Sequence, residues 1–134
     1  MKKSKFQFTD PELEKLEFDI NAEYDADKFD GILMESHTQV KRDDSNEAYV
    51  ALTLRIGSNE ENQPFIILVK MSANFSWEEN LEEKLVKSLL KSNAPAALLS
   101  YIRPIVSMMT VSSKYPALNI PFIDFTQNEI SEEE

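Results

Sequence analysis

The sequence predicts an α+β domain, a four-stranded antiparallel sheet packed against two helices in its C-terminal half. Three observations predict it. Apolar residues alternate with period two in four stretches between residues 16 and 75. The connections between these stretches are short and polar, as hairpins require. Beyond residue 76 the apolar spacing lengthens to three and four residues, the period of one helix face. One apolar sheet face and two apolar helices make a two-layer domain.

Residues 1–12 are polar, with Phe6 and Phe8 alternating as a short strand or a loose arm. From Leu16 the pattern is strict: Leu16, Phe18, Ile20, Ala22 and Tyr24 point one way, and Glu17, Asp19, Asn21 and Glu23 the other. Asp25–Asp30 reads as a loop. Gly31 opens a second strand with Ile32, Met34 and Val40 on one face, and Lys41–Asn46 is a charged turn. Glu47–Ile56 is the clearest strand, with Ala48, Val50, Leu52, Leu54 and Ile56 together. Gly57–Gln63 is a hairpin loop, and Pro64–Phe75 is the fourth strand. The strands are expected to lie in sequential or nearly sequential order.

Ser76-Trp77-Glu78-Glu79 reads as a capping box that starts the first helix. That helix runs to about Lys91, with Trp77, Leu81, Leu85 and Leu89 at four-residue steps, and Ser92-Asn93 breaks it. Pro95 then sits in the first turn of a second helix. Leu98, Ile102, Ile105 and Met109 form its stripe, widened by Leu99 and Val106, and Pro104 should kink it near Ser100. A helix this apolar asks for cover on two sides.

The composition excludes several functions. A formal net charge of −10 opposes phosphate neutralisation, so nucleic acid is not an expected partner. The absence of cysteine removes disulfides, thiolate nucleophiles and cysteine zinc sites. A lone His37 makes a poor metal site. With only Gly31 and Gly57 there is no phosphate-cradling loop, and no serine sits in a nucleophile elbow. Neither enzyme activity, cofactor nor metal is expected. No unbroken apolar run reaches membrane-spanning length and no apolar stretch follows Met1-Lys2-Lys3, so a cytoplasmic chain without membrane insertion is expected.

Residues 94–125 carry a recognisable pattern. Pro95, Leu98, Tyr101 and Arg103, followed by Tyr115-Pro116 and Leu118-Asn119-Ile120, lie at the spacing of P-N-x-L-x-x-Y-x-R and F-P-x-L-N-L. This stretch resembles the C-terminal half of the SecB family of export chaperones. EAYVALTLRI, FIILVKMSANF and LEKLEFDIN are similar to the family's third, fourth and first strands. The chain most resembles a short branch of that family in Gram-positive bacteria. The resemblance implies a SecB-like domain over residues 1–125 and a homo-oligomer, dimer or tetramer, with the long helices between sheets. It also implies ATP-independent holding of non-native polypeptide on apolar and aromatic grooves, linked to export. Related proteins serve as chaperones for labile antitoxins, so a scaffold with one specific protein partner is the alternative. A small-molecule pocket between sheet and helix is a third reading.

Trp77, Met108, Met109, Tyr115, Phe122 and Phe125 flank the helix ends and are the candidate client contacts; ordinary core packing is the competing reading for each. Glu17, Asp19 and Glu23 form a candidate acidic docking face, or simply a solvated one. Two departures from the family bear on export. Its final helix has no counterpart in the acidic residues 126–134, which read as a disordered tail. Asp19 keeps a family carboxylate, but Lys15 and Leu68 fall where the family has acids, which weighs against docking to a SecA-type motor.

Overall fold

The computed structural model describes residues 1–127 and 130–133. Strands β1 (Phe6–Ile20), β2 (Met34–Arg42), β3 (Glu47–Ile56) and β4 (Phe65–Trp77) form an antiparallel sheet. A helical run follows, made of α1 (Glu83–Ser88), a π-turn (Leu89–Asn93) and α2 (Ala94–Val111). A short strand β5 (Ile130–Glu133) adds to β2 in parallel. The order across the sheet is β1-β4-β3-β2-β5. The α+β class and the four-strand antiparallel sheet agree with the sequence reading.

The strand order is not sequential. β2, β3 and β4 are joined by hairpins, while β1 lies beside β4, a Greek-key order. Amide side chains fasten the crossover between β1 and β2. Asn21 donates to the Gln63 carbonyl at 2.9 Å, and Asn62 donates to the Asp25 carbonyl at 2.8 Å. Gln63, only 4% exposed, donates to the Gly31 carbonyl at 3.0 Å and accepts from the Leu33 N–H at 2.9 Å. Such long-range polar pairing leaves no periodic trace in a sequence.

β1 is longer at its start and shorter at its end than the alternation suggests. Phe6 and Phe8 are strand residues paired with Trp77 and Phe75, whereas Ala22 and Tyr24 have left the strand. Ser76 is not a helix cap. It pairs with both Gln7 and Glu47, so β4 runs on to Trp77 and the helix waits until Glu83. Two flanking strands satisfy the Ser76 backbone better than a cap could.

Ser92-Asn93 does not break the helix. The chain stays helical through the π-turn, where the Ala94 N–H reaches the Leu89 carbonyl. Pro95 supplies the reason: it has no N–H for the preceding turn and its ring crowds that turn's carbonyl, and a wide turn accommodates both. Pro104 lies within α2 without ending it. Val86, Leu90, Ala94, Leu98, Ile102, Val106 and Thr110 form one stripe at constant four-residue steps, each 2% exposed or less. By length and hydropathy Glu83–Val111 would pass for a membrane span. Its apolar stripe is taken up by the sheet, against Val50, Leu52, Leu54, Ile67 and Val69.

Gly57 ends β3 with φ +83°, and an added Cβ would lie 1.9 Å from the Phe65 carbonyl oxygen. Gly31 has a similar φ, +91°, but nothing within 4 Å. Gly57→Ala should therefore cost about 2–4 kcal/mol in urea unfolding, against about 1 kcal/mol for Gly31→Ala. Equal losses would contradict the steric reading.

Candidate functional site

The helix covers only part of the sheet. α2 packs on β3 and β4, and β1 continues beyond its edge. Leu13, Leu16, Phe18 and Ile20 stand opposite the buried residues Met71, Val69, Ile67 and Phe65 of β4, so they share the core face. Yet Leu13, Leu16 and Ile20 are 42%, 36% and 45% exposed. Two register shifts, between Thr9 and Glu12 and between Leu13 and Lys15, let both ends of the long strand turn apolar side chains inward. Asp10 sits at the first with φ 56°.

Aromatic rings close both ends of this strip. At one end Phe8 packs at a tilt against Phe75 at 5.4 Å and meets the Tyr101 ring edge-on at 6.1 Å. Phe6 lies 5.4 Å from Phe75 and 6.3 Å from Trp77. At the other end Phe18 stacks on Phe65 at 5.7 Å, and Tyr115 meets Phe65 at 5.6 Å. Tyr24 packs edge-on against both Tyr115 and Phe29. The Tyr115 hydroxyl is buried without a hydrogen-bond partner among the described residues. On the helix flank, Tyr101 and Met108 lie seven residues apart on one face and are 39% and 67% exposed. The half-buried Ile105 lies between them. The result is an apolar strip between β1 and α2, about 30 Å long at roughly 3.3 Å per strand residue.

The sequence-predicted residues divide. Trp77 and Phe125 are core residues, 8% and 4% exposed. Trp77 sits beneath the Arg42 guanidinium at 5.1 Å, and Arg42 in turn grips Glu83 at 2.6 and 3.3 Å, fastening the helix start to the sheet. Met109 is half-buried. Met108 and Tyr115 border the strip. Phe122 is 91% exposed, 5.3 Å from the Arg103 guanidinium, whose Nε holds the Ile120 carbonyl at 2.9 Å. Phe8, Leu13, Leu16, Phe18 and Tyr101 were not among the predicted contacts. The alternation of Phe6 and Phe8 was the available signal, but nothing in a sequence says that a helix stops short of its strand.

The opposite sheet face is polar. Glu17 and Asp19 lie there opposite Leu68 and Ile66, all outside the core, while Glu23 belongs to the following loop. Lys15 pairs with Glu17 at 3.4 Å, and Leu68 faces Glu17 directly, so both departures from the family pattern adjoin one carboxylate. Glu14 sits at the second register shift, accepts from the Tyr49 hydroxyl and lies 3.7 Å from Lys70. Hydrogen bonds from Ser72 and Tyr49 hold the Glu14 carboxyl below its ordinary value. Burial first, then the Glu14 contact, pushes the Tyr49 hydroxyl up to about 12. Among the described residues no group of three or more acidic or histidine side chains is placed to hold a metal.

Sheet order, single long helix and apolar strip together define a two-layer α+β domain with an incompletely covered core face. The profile of the family described as preprotein translocase subunit SecB matches residues 16–128, and the chain belongs to the SecB family. It is 38% identical over 77 residues to the protein-export protein SecB of Anaplasma marginale (strain Florida), covering 57% of this chain and 44% of that one. Against SecB of Anaplasma phagocytophilum (strain HZ) the identity is 39% over 80 residues, 58% and 51% of the two chains. The match thus spans about half the length of these relatives. A SecB-like chaperone of Mycobacterium tuberculosis, solved with a ChAD peptide from an antitoxin, superposes with a TM-score of 0.70 at 17% identity, over 90% and 91% of the two chains. A Streptococcus agalactiae protein of unknown function gives a TM-score of 0.51 at 15% identity, over 87% and 97%.

The raised Tyr49 value has a consequence at alkaline pH. The folded state prefers the neutral phenol, so its contribution is complete below the ordinary value of 10.0 and is lost as pH rises through about 12. Thermal unfolding across that window should show the loss in the native chain, and Tyr49→Phe should reduce it. An identical alkaline slope in both would refute the assignment.

Proposed function

We propose that this chain is an ATP-independent chaperone-type module that holds extended, non-native polypeptide along the strip between β1 and α2. One observation carries the reading: apolar side chains on the core face of the sheet remain open to solvent, between aromatic rings at both ends. Membership of the SecB family supports it. An extended client of about nine residues would span the distance. Met108 and the exposed leucines adapt to varied side chains without selecting one sequence. The net charge of −10 keeps loaded molecules apart. No catalytic step is required, and a cytoplasmic setting fits such work.

Delivery to a SecA-type motor is not part of the proposal, because Lys15 and Leu68 dilute the acidic surface around Glu17. The second reading is one specific partner. It is favoured by the neighbour of similar fold that was solved with an antitoxin peptide. Calorimetric titration with several unrelated, permanently unfolded polypeptides separates the two. General holding predicts micromolar affinity with little dependence on sequence. Leu16→Asp and Tyr101→Ser should each weaken it at least tenfold, since a buried apolar side chain contributes about 1.5–3 kcal/mol. Unchanged affinity in both variants would place the client elsewhere, and binding to one sequence alone would establish the specific-partner role.

We extend the proposal to a homo-oligomer, dimer or tetramer, whose contact is the exposed outer side of α2 at Met108 and Val111 and leaves the β1 side of the strip open to the client. Sedimentation should show a mass above 15.4 kDa that falls toward the monomer in Met108→Glu. A native chain that sediments as a monomer at all concentrations would refute this.

A further inference from the structure

The two edges of the sheet are built differently. β1 carries the features that discourage strand pairing: two register shifts, Pro11, and a run of charges from Glu12 to Asp19. β2 carries none of them between Ser36 and Val40, a stretch of five residues without Pro, Asp, Glu, Lys or Arg. It is there that β5 adds, in parallel, with Ile130 opposite Thr38 and Glu133 opposite Lys41. The added strand pairs four of the nine residues of β2. Among the described residues no strand pairs with Met34–His37 on that side.

We infer that the edge of β2 is a strand-addition site for an extended segment of a partner polypeptide, and that residues 130–133 are its intramolecular occupant. The fitting partner runs parallel to β2, with a branched apolar residue at the register of Thr38 and acidic residues at those of Val40 and Lys41. That is the chemistry of the segment already seated there. Four residues make a weak strand, and glutamate is a poor strand former. Tethering compensates: a short linker gives an effective concentration on the order of millimolar, enough to hold a weak segment in place yet leave it displaceable. A longer free strand, able to use Met34–His37 as well, has more main-chain hydrogen bonds available than the tethered one. Phe125, buried in the core, anchors the chain before the segment, in the short 3-10 turn Phe125–Gln127.

Hydrogen exchange on the full chain tests this. Ser131→Pro and Glu132→Pro cover both hydrogen-bonding alternations of β5 and should each speed amide exchange within residues 38–41 about tenfold. A synthetic peptide with the sequence of residues 126–133, TQNEISEE, should then restore protection of residues 38–41 in these variants. Unchanged exchange in both proline variants would overturn the inference, as would failure of the peptide to restore protection. The site is independent of the strip on the opposite side of the sheet: Leu16→Asp, at the β1 edge, should leave peptide capture intact. Capture that persists while unfolded clients fail to bind would refute the strip and leave the strand-addition site standing.

Discussion

One helix covers about two strands, and the remaining features of this domain follow from that mismatch of widths. An α-helix with its side chains is roughly 10–12 Å across, and strands lie about 4.8 Å apart. α2 fits over β3 and β4, whose core-facing residues from Val50 to Ile67 are fully buried. A sheet of five strands is wider than its cover. β1, at the far side of β4, presents Leu13, Leu16 and Ile20 on the core face with nothing of equal width above them. Among the described residues one long helix does the covering.

The apolar stripe of that helix shows how sequence and packing meet. Residues 86 to 110 are buried at every fourth position, a step slightly longer than one helical turn. A straight helix would carry such a stripe around its axis and away from the sheet. The π-turn at Leu89–Asn93 widens one turn and offsets part of that drift, and Pro95 favours the widening. The C-terminal end is held separately. Thr110, fully buried, donates to the Val106 carbonyl at 3.0 Å and accepts from the Leu118 N–H at 2.7 Å. Arg103 holds the Ile120 carbonyl. These bonds fold residues 115–125 back onto the helix and bring Tyr115 to the end of the strip.

The two sheet faces divide the chemistry. The core face is apolar and, along β1, incompletely covered. The outer face is a solvated lattice of Glu14, Tyr49, Lys70 and Lys15–Glu17 contacts, in which acids are matched by lysines. A chain of net charge −10 therefore has no purely acidic sheet surface around Glu17. The exposed apolar area of the sheet lies on the other face, along β1.

Much was legible in the chain itself. Period-two alternation located β3 to the residue and β2 and β4 nearly so, because each has one face that must be buried, whereas β1 was read from Leu16 to Tyr24 and spans Phe6–Ile20. The helical apolar segment and its thirty-residue family pattern were legible for the same reason. The candidate site was legible only in part: Met108 and Tyr115 border the strip, whereas Trp77 and Phe125 are core residues. What the sequence alone determined is the class of each element and its inward face, since those depend on neighbours along the chain. The tertiary structure alone decided that β1 lies beside β4, that Ser76 stays in a strand, and that the helix leaves β1 uncovered. Each of these turns on contacts between residues far apart in sequence, such as Asn21 with Gln63 or Phe8 with Tyr101, and no local period encodes them.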